Sequence, residues 1–116
     1  MEAIFLGTRR CDPHGAALSY FSKTTEGWPP MMRVNPILDW TYSDVWDFLC
    51  SLEIPYCNLY NRGYTSIGGM SDTCPNPLLL LLDQKISHTE KIYRHAKWLD
   101  DETKERCGRT TDSKAN

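Results

Sequence analysis

Two short extended runs and one amphipathic segment stand out in the hydrophobic pattern of this chain. The apolar run Ala3–Leu6 ends at Gly7, and the run Met31–Asn35 ends before Pro36. Apolar runs of about this length, bounded by Gly or Pro, are typical of β-strands. We therefore expect a strand at each of the two positions.

A helix is expected after Thr41. Thr41 is a suitable N-cap residue, and Asp44 stands three positions later, where an acidic side chain completes a capping box. Ile54-Pro55 is expected to end this helix. The side chain of Trp46 is expected to pack on the core face or beside it. The residues at helical spacing that should form that core face are Val45, Phe48, Leu49 and Leu52.

The other segments give weaker patterns. The polar stretch 14–25 reads as a loop whose centre, Ala16–Phe21, has room for a turn or two of helix. Leu78–Leu82 is expected to be a buried turn of helix or a strand. Trp98–Arg109 is a charged helical candidate with acids early, bases late and Gly108 as a stop.

The segment Pro55–Gly69 has an unusual composition, with three tyrosines, two asparagines and three glycines by its end. Glycine permits close backbone approach, and tyrosine combines an apolar body with a polar tip. These properties fit a ligand-facing loop and an ordered surface crossing equally well.

Composition excludes several classes of protein. The net charge of −2 argues against a nucleic-acid surface, and no apolar run is long enough to span a bilayer. No signal peptide is recognisable, so a cytoplasmic protein is expected. Five cysteines without C-x-x-C spacing indicate free thiols, and the three histidines share no metal-ligand spacing with them.

The pattern also bears on architecture. A chain of 116 residues is one small domain or part of a larger one. Parallel strands are joined by crossovers of about a dozen residues or more, and only one convincing partner strand follows Ala3–Leu6. We therefore expect the C-terminal part of an α/β domain.

Two consecutive arginines follow the first strand, in the segment Gly7-Thr8-Arg9-Arg10-Cys11-Asp12-Pro13. Ligands of open α/β sheets bind at the carboxyl ends of strands, and the planar fork of arginine matches phosphate geometry. The pair is therefore a candidate phosphate site, although adjacent arginines more often lie on solvated surfaces.

Several motifs occur together in a recognisable order. They are Gly7–Pro13, Trp28-Pro29, Arg33–Trp40 (Arg-Val-Asn-Pro-Ile-Leu-Asp-Trp), Asp44–Trp46, Pro55–Tyr60, Gly63–Gly68 and Glu105–Arg109. On these motifs, roughly residues 4 to 109 resemble the eukaryotic FMN adenylyltransferases (FAD synthases) of the phosphoadenylyl-sulfate (PAPS) reductase-like superfamily.

The resemblance implies a fold and an activity. It implies residues 1–109 as the C-terminal portion of an adenine-nucleotide α-hydrolase-like, Rossmann-type parallel-sheet domain, with 110–116 as a disordered tail. The implied nucleotidyltransferase reaction moves AMP from ATP to FMN with Mg²⁺, giving FAD and pyrophosphate.

The resemblance also implies site residues. Arg9 and Arg10 would lie near nucleotide or flavin phosphates, and Trp40 beside the isoalloxazine ring. The C-terminal arginines would clasp the flavin side and its phosphate. The implied catalytic residues are Arg9, Arg10 and Asp39. The implied binding residues are Gly7, Thr8, Arg9, Asn35, Asp39, Trp40, Tyr64, Arg106 and Arg109.

The sequence departs from the family in one major respect. It contains no Ser-x-Gly-x-Asp-Ser loop of the kind that holds ATP phosphates in the family's N-terminal half. We therefore expect that this chain needs that half as a partner and cannot make FAD alone. The alternatives are a flavin-binding module without catalysis and a sulfonucleotide reductase, for which Cys107 would have to be the catalytic thiol.

Overall fold

The computed structural model describes residues 2–82 and 91–110, which separate into two compact units. The units are Met1–Val45 and Trp46–Asn116, so the boundary falls inside a helix. None of the described helices is long and apolar enough to cross a membrane.

A three-stranded mixed sheet forms the first unit. Strands β1 (Glu2–Phe5), β2 (Phe21–Lys23) and β3 (Met31–Val34) lie in the order β1-β3-β2. β1 and β3 are parallel, and β2 is antiparallel to β3. The two expected strands, β1 and β3, are confirmed as a parallel pair, and β2 is an additional antiparallel strand that the sequence pattern did not predict.

The turn or two of helix expected over Ala16–Phe21 is also wrong. The backbone N–H of Asn35 donates to the carbonyl of Tyr20 (2.8 Å), and its side-chain amide donates to the carbonyl of Ser19 (2.9 Å). These bonds hold the end of the loop extended beside β3. Such long-range pairing overrides weak local helical preference.

One face of this sheet exposes aromatic side chains, and the other face borders a hollow. Phe5, Val34 and Phe21 are paired in register across the three strands, and the two phenylalanines are 77% and 67% exposed. The pair Ile4 and Arg33 belongs to the opposite face, because side chains alternate along a strand. A hollow of about 460 Å³ on that side is lined by residues including Leu6, Trp28 and Arg33.

Helix α1 (Tyr42–Ser51) begins with the expected capping box. The N–H of Thr41 donates to the carboxylate of Asp44 (2.9 Å), and the N–H of Asp44 donates to Thr41 Oγ1 (3.1 Å). The expected core face is wrong at Phe48 and Leu52, which are exposed. The aromatic side chains are buried instead, at Tyr42 and, as expected, at Trp46.

Short elements make up the second unit. Strands β4 (Leu80–Leu82) and β5 (Ile92–Tyr93) are antiparallel. Leu78–Leu82 forms the end of one 3₁₀ turn and β4; Leu79 is buried, whereas Leu78 and Leu81 are exposed. The other 3₁₀ segments are Asn58–Arg62, Ala96–Trp98 and Glu102–Lys104.

The helix expected over Trp98–Arg109 is wrong. This segment contains 3₁₀ turns and ordinary turns, because its backbone is hydrogen-bonded to the loop before β4. The expected tail 110–116 lies outside the described residues except for Thr110. All five cysteines are exposed free thiols, as expected.

Candidate functional site

The first candidate cluster joins the end of β1 to the segment after β3. Arg10 Nε donates to Asp39 Oδ1 (2.7 Å), and the hydroxyl of Tyr20 donates to the other carboxylate oxygen. Arg10 Nη1 also donates to the carbonyls of Ala16 and Leu18, at 3.2 and 3.0 Å. Two of the expected catalytic residues, Arg10 and Asp39, are therefore in direct contact.

The protonation states of this cluster follow from those contacts. The hydrogen bonds from Arg10 and then Tyr20 lower the pKa of Asp39, so the carboxylate is ionised at neutral pH. Hydrogen bonding to Asp39 raises the pKa of Tyr20, which stays protonated as a donor. Each carboxylate oxygen of Asp39 thus accepts one of the two hydrogen bonds that stabilise its ionised form.

Arg9 lies differently from Arg10. It is 7% exposed, and both its backbone N–H (2.7 Å) and its Nη2 (2.8 Å) donate to the carboxylate of Asp12. Gly15 closes this turn, where an added Cβ would lie 2.1 Å from the carbonyl oxygen of Arg9. The two adjacent arginines are thus separated into a buried, turn-forming residue and an exposed one.

Asn35 and Tyr20 support the same cluster. Asn35 is almost fully buried and binds the backbone of Ser19 and Tyr20, which places the Tyr20 side chain at Asp39. Sequence reasoning missed Tyr20, since nothing in the local pattern distinguishes it from other tyrosines. Of the other expected residues, Gly7 has no heavy atom within 4 Å of where a Cβ would lie, and the side chains of Thr8 and Trp40 are partly buried.

The second candidate cluster holds the C-terminal segment against the Gly63–Gly68 loop. Thr65 Oγ1 donates to the carbonyl of Glu105, and Asn76 Nδ2 donates to Thr65 Oγ1 (3.0 Å) and to the carbonyl of Lys104 (2.9 Å). Thr65 and Asn76 are both buried. Sequence reasoning missed Asn76, although an Asn before Pro77 is a usual cap of a helical turn.

Gly108 allows the backbone of this segment to approach the loop. An added Cβ there would lie 2.2 Å from the carbonyl oxygen of Cys74, and the N–H of Cys74 donates to the carbonyl of Gly108 (2.9 Å). The glycine of the Glu-Arg-x-Gly-Arg motif is therefore required by close packing.

The approach of Gly108 brings Arg109 to the loop. Arg109 Nη1 donates to Ser66 Oγ (3.3 Å), and its Nε lies 3.9 Å from Asp72 Oδ1. Arg106 and Tyr64, two further expected binding residues, lie in the same unit and are partly buried.

An aromatic cluster lies beside this loop. The ring of Trp46 makes edge-to-face contacts with Tyr56, Tyr60 and His95, at centroid distances between 4.9 and 5.3 Å. The hydroxyl of Tyr56 is 2.8 Å from His95 Nε2. Burial, and then the charge of Lys97, lower the pKa of His95. Two of the three tyrosines of the Pro55–Gly69 segment, Tyr56 and Tyr60, therefore pack against Trp46.

This chain is similar in sequence to proteins of one known family and to several FAD synthases. The family described as phosphoadenosine phosphosulfate reductase domain matches residues 1–75. A probable FAD synthase of Schizosaccharomyces pombe is 47% identical over 109 residues, which are 94% of this chain and 38% of that protein. The flavin adenine dinucleotide synthase of Saccharomyces cerevisiae is 45% identical over 78 residues, which are 67% of this chain and 26% of that protein.

Solved structures agree with these relatives. The FMN adenylyltransferase of Candida glabrata, in complex with FMN and an ATP analogue, superposes with a TM-score of 0.84 at 28% identity. That match covers 93% of this chain and 50% of the C. glabrata chain, so the chain spans half or less of the relatives it matches. The resemblance to the FMN adenylyltransferases and their α/β fold is thereby confirmed. The chain belongs to the phosphoadenosine phosphosulfate reductase domain family.

Proposed function

We propose that this chain is the flavin-binding part of an FMN adenylyltransferase, which transfers AMP from ATP to FMN. The observation that carries this proposal is the 47% identity to a probable FAD synthase across 94% of the chain. The similarity in fold to an FMN adenylyltransferase with bound FMN and ATP analogue supports it. The free, exposed cysteines fit a cytoplasmic location, which we propose with it.

The reaction requires the positioning of two anions. An oxygen of the FMN phosphate attacks the α-phosphorus of ATP; a new P–O bond forms, and pyrophosphate leaves with its bridging oxygen. The FMN phosphate is already an anion near neutral pH, so the step needs no strong general base. Catalysis then depends on orientation and on charge neutralisation by groups such as arginine.

The residues of each unit have separate proposed roles. In the first unit, Arg10, held by Asp39, provides a cation at the end of β1, and the adjacent Trp40 provides a ring for stacking on flavin. Gly7, Thr8, Arg9 and Asn35 are proposed to shape this edge. In the second unit, Arg106 and Arg109 are proposed to bind the flavin phosphate, with Tyr64 in the loop beside them.

Magnesium is the metal implied for this chemistry. Among the residues that the structure describes, no three His, Cys, Asp or Glu side chains come together as metal ligands. Asp39 is occupied by Arg10 and Tyr20. These residues do not fit a protein-held Mg²⁺ site. Mg²⁺ commonly binds through substrate phosphates with one or two carboxylates, and we propose that phosphates supply most of its ligands here.

Titration of FMN fluorescence with the whole chain tests the proposal. We expect saturable quenching, and we expect Arg106→Ala or Arg109→Ala to cost about 2–5 kcal/mol of FMN affinity, because a partly buried phosphate would lose its charged partner. Lys91→Ala is the control variant for loss of a positive charge, since Lys91 is exposed and is not among the proposed binding residues. The absence of quenching by a folded chain would contradict the proposal, as would unchanged affinity in both arginine variants.

Activity is tested separately. We expect no FAD from FMN, ATP and Mg²⁺ with this chain alone, because its sequence contains no Ser-x-Gly-x-Asp-Ser loop for the ATP phosphates. Adding the N-terminal half of the S. pombe relative should yield FAD, measured by chromatography. FAD formation at enzymatic rates without that half would show that the expectation of inactivity is wrong.

Membership of the phosphoadenosine phosphosulfate reductase domain family and the exposed thiol of Cys107 suggest one other activity to test. A sulfonucleotide reductase would release sulfite from a sulfonucleotide and a thiol reductant. We expect none, because Cys107 lies within the Glu-Arg-x-Gly-Arg motif, next to the Gly108 that packs on Cys74. Flavin binding without FAD formation, even with the N-terminal half present, would instead indicate a non-catalytic flavin module.

A further inference from the structure

The guanidinium group of Arg109 occupies the space that a side chain at Gly68 would need. An added Cβ at Gly68 would lie 2.3 Å from Nη2, 2.4 Å from Cζ and 2.8 Å from Nε. All three of these atoms belong to the far end of the arginine side chain. The absence of a side chain at Gly68 therefore creates the space that the guanidinium occupies.

The carboxylate of Asp72 lies beside that group. Its Oδ1 atom lies 3.9 Å from Arg109 Nε, and the side chains are only 26% and 16% exposed, so solvent screens this ion pair incompletely. Asp72 is itself anchored, because Thr73 Oγ1 donates to its carboxylate (3.1 Å) and the N–H of Thr110 donates to its backbone carbonyl (3.0 Å). A fixed anion beside a long cationic side chain restricts its rotamers.

Part of the guanidinium is left for a ligand. Within the described residues, its one hydrogen bond runs from Nη1 to Ser66, and the buried Nε has no hydrogen-bond acceptor. A guanidinium has five N–H donors in a rigid fork. Because Nε is buried, an anion has access only to the remaining donors of Nη1 and Nη2, and binding there leaves the ion pair with Asp72 in place.

We propose that Asp72 is a positioning residue that, together with Gly68, fixes Arg109 for binding the phosphate of the flavin substrate. This inference rests on the proposed function, since it takes the ligand of Arg109 to be that phosphate. A side chain ordered before binding loses less conformational freedom when the ligand arrives. Loss of Asp72 should therefore weaken binding even though Asp72 does not touch the ligand.

Two variants change the position of Arg109 by different means. Asp72→Asn removes the charge but keeps an oxygen that accepts from Thr73, and the backbone contact with Thr110 is unaffected. Gly68→Ala places a methyl group where the guanidinium lies, and a flexible side-chain end yields easily. Asp100→Asn is the control, because it removes the same charge from an exposed position elsewhere in the unit.

The first measurement does not depend on flavin. In a ¹⁵N-labelled chain, the Nε–Hε resonance of Arg109, identified by its loss in Arg109→Lys, should be separate and slow to exchange with solvent. Asp72→Asn and Gly68→Ala should move it toward the exposed arginines and speed its exchange about tenfold or more, since both release the group. An unchanged resonance in both variants would overturn the proposal.

The second measurement uses FMN itself. Asp72→Asn should weaken FMN binding about 3- to 30-fold in the wild-type background and have no further effect in Arg109→Ala, because the two residues act as one unit. An equal loss in both backgrounds would overturn the positioning role. If the wild-type chain binds no FMN while the resonance responds as expected, the flavin assignment fails and the positioning of Arg109 by Asp72 stands.

Discussion

Hydrogen-bond partners hold individual titratable side chains of this protein in one protonation state. His95 is an example in the second unit. Its Nδ1 accepts the N–H of Lys97 (2.9 Å), so a neutral ring carries its proton on Nε2 and donates it to the hydroxyl oxygen of Tyr56. A protonated ring has no acceptor at Nδ1. Protonation would therefore disrupt the turn that His95 caps.

The pKa of His95 predicts a pH dependence of stability. Burial and Lys97 hold this pKa below its ordinary value, so the unfolded chain takes up a proton at a higher pH than the folded chain. The free energy of unfolding should be unaffected by this group above pH ~6.5 and should fall as the pH drops from there toward the folded pKa.

Thermal unfolding at pH 7.5 and pH 5.5 measures this effect. The decrease in Tm on acidification should be smaller in His95→Gln than in the wild type, because glutamine does not titrate in this range. Lower stability of the variant at both pH values leaves the comparison intact. Equal decreases in the two proteins would show that His95 does not couple folding to pH.

At the scale of elements, the close contact between Gly108 and Cys74 joins two segments without regular secondary structure. A Cβ at Gly108 would meet a backbone carbonyl, which cannot rotate away as a side chain can. We expect Gly108→Ala to destabilise the protein by about 1–3 kcal/mol, the usual cost of overpacking. Urea denaturation and proteolysis near the C-terminal segment measure it.

A matched substitution isolates the effect of that contact. A Cβ at Gly7 would have nothing within 4 Å. Gly7→Ala should therefore leave the urea midpoint almost unchanged. If Gly108→Ala and Gly7→Ala unfolded at the same urea concentration, the close approach to Cys74 would contribute nothing to stability.

Elements whose determinants are local were predictable from the sequence. The capping box of α1 could be read because Thr41 and Asp44 are three positions apart, and β1 was evident from its apolar run. β2 has only three residues and depends on pairing with β3. The segment over 98–109 is not helical because its partners, Thr65 and Asn76, are remote in sequence.

The residues of the candidate site also fall into two groups, those that the sequence could identify and those that it could not. The Gly-Thr-Arg-Arg segment identified Arg10 from residue type, whereas Asp39 and Arg109 were identified only through the resemblance to the FMN adenylyltransferases. No local signal could pair Arg10 with Asp39, because the two are separated by 29 positions. Tyr20 and Asp72 were missed for a related reason, since each matters only through a side chain brought to it by the fold.

At the scale of the whole molecule, the first unit exposes an unusual amount of aromatic surface. Phe5 and Phe21 lie in one cross-strand row with Val34, on a sheet whose β1 edge is exposed along its length. Apolar faces and open strand edges promote association. We expect the isolated chain to self-associate as its concentration rises.

Sedimentation over a range of protein concentrations tests this expectation. The double variant Phe5→Ser and Phe21→Ser should shift the equilibrium toward monomer, because it removes both exposed rings of the row. Met70→Ser is the control, since Met70 is fully exposed and lies outside the sheet. A monomeric wild type, or equal association in all three proteins, would contradict the role of this face.

The contacts of Thr65 and Asn76 also affect the conformational entropy of the chain, because they close loops. They join residues separated by 40 and 28 positions, at Glu105 and Lys104, and so close two long loops of chain. The entropy of loop closure grows only with the logarithm of length, and doubling a loop costs about 0.6 kcal/mol. Insertions that lengthen these loops without interrupting β4 or β5 should therefore cost little free energy. The loops can then differ in length among relatives while Arg109 stays in register with Ser66 and Gly68.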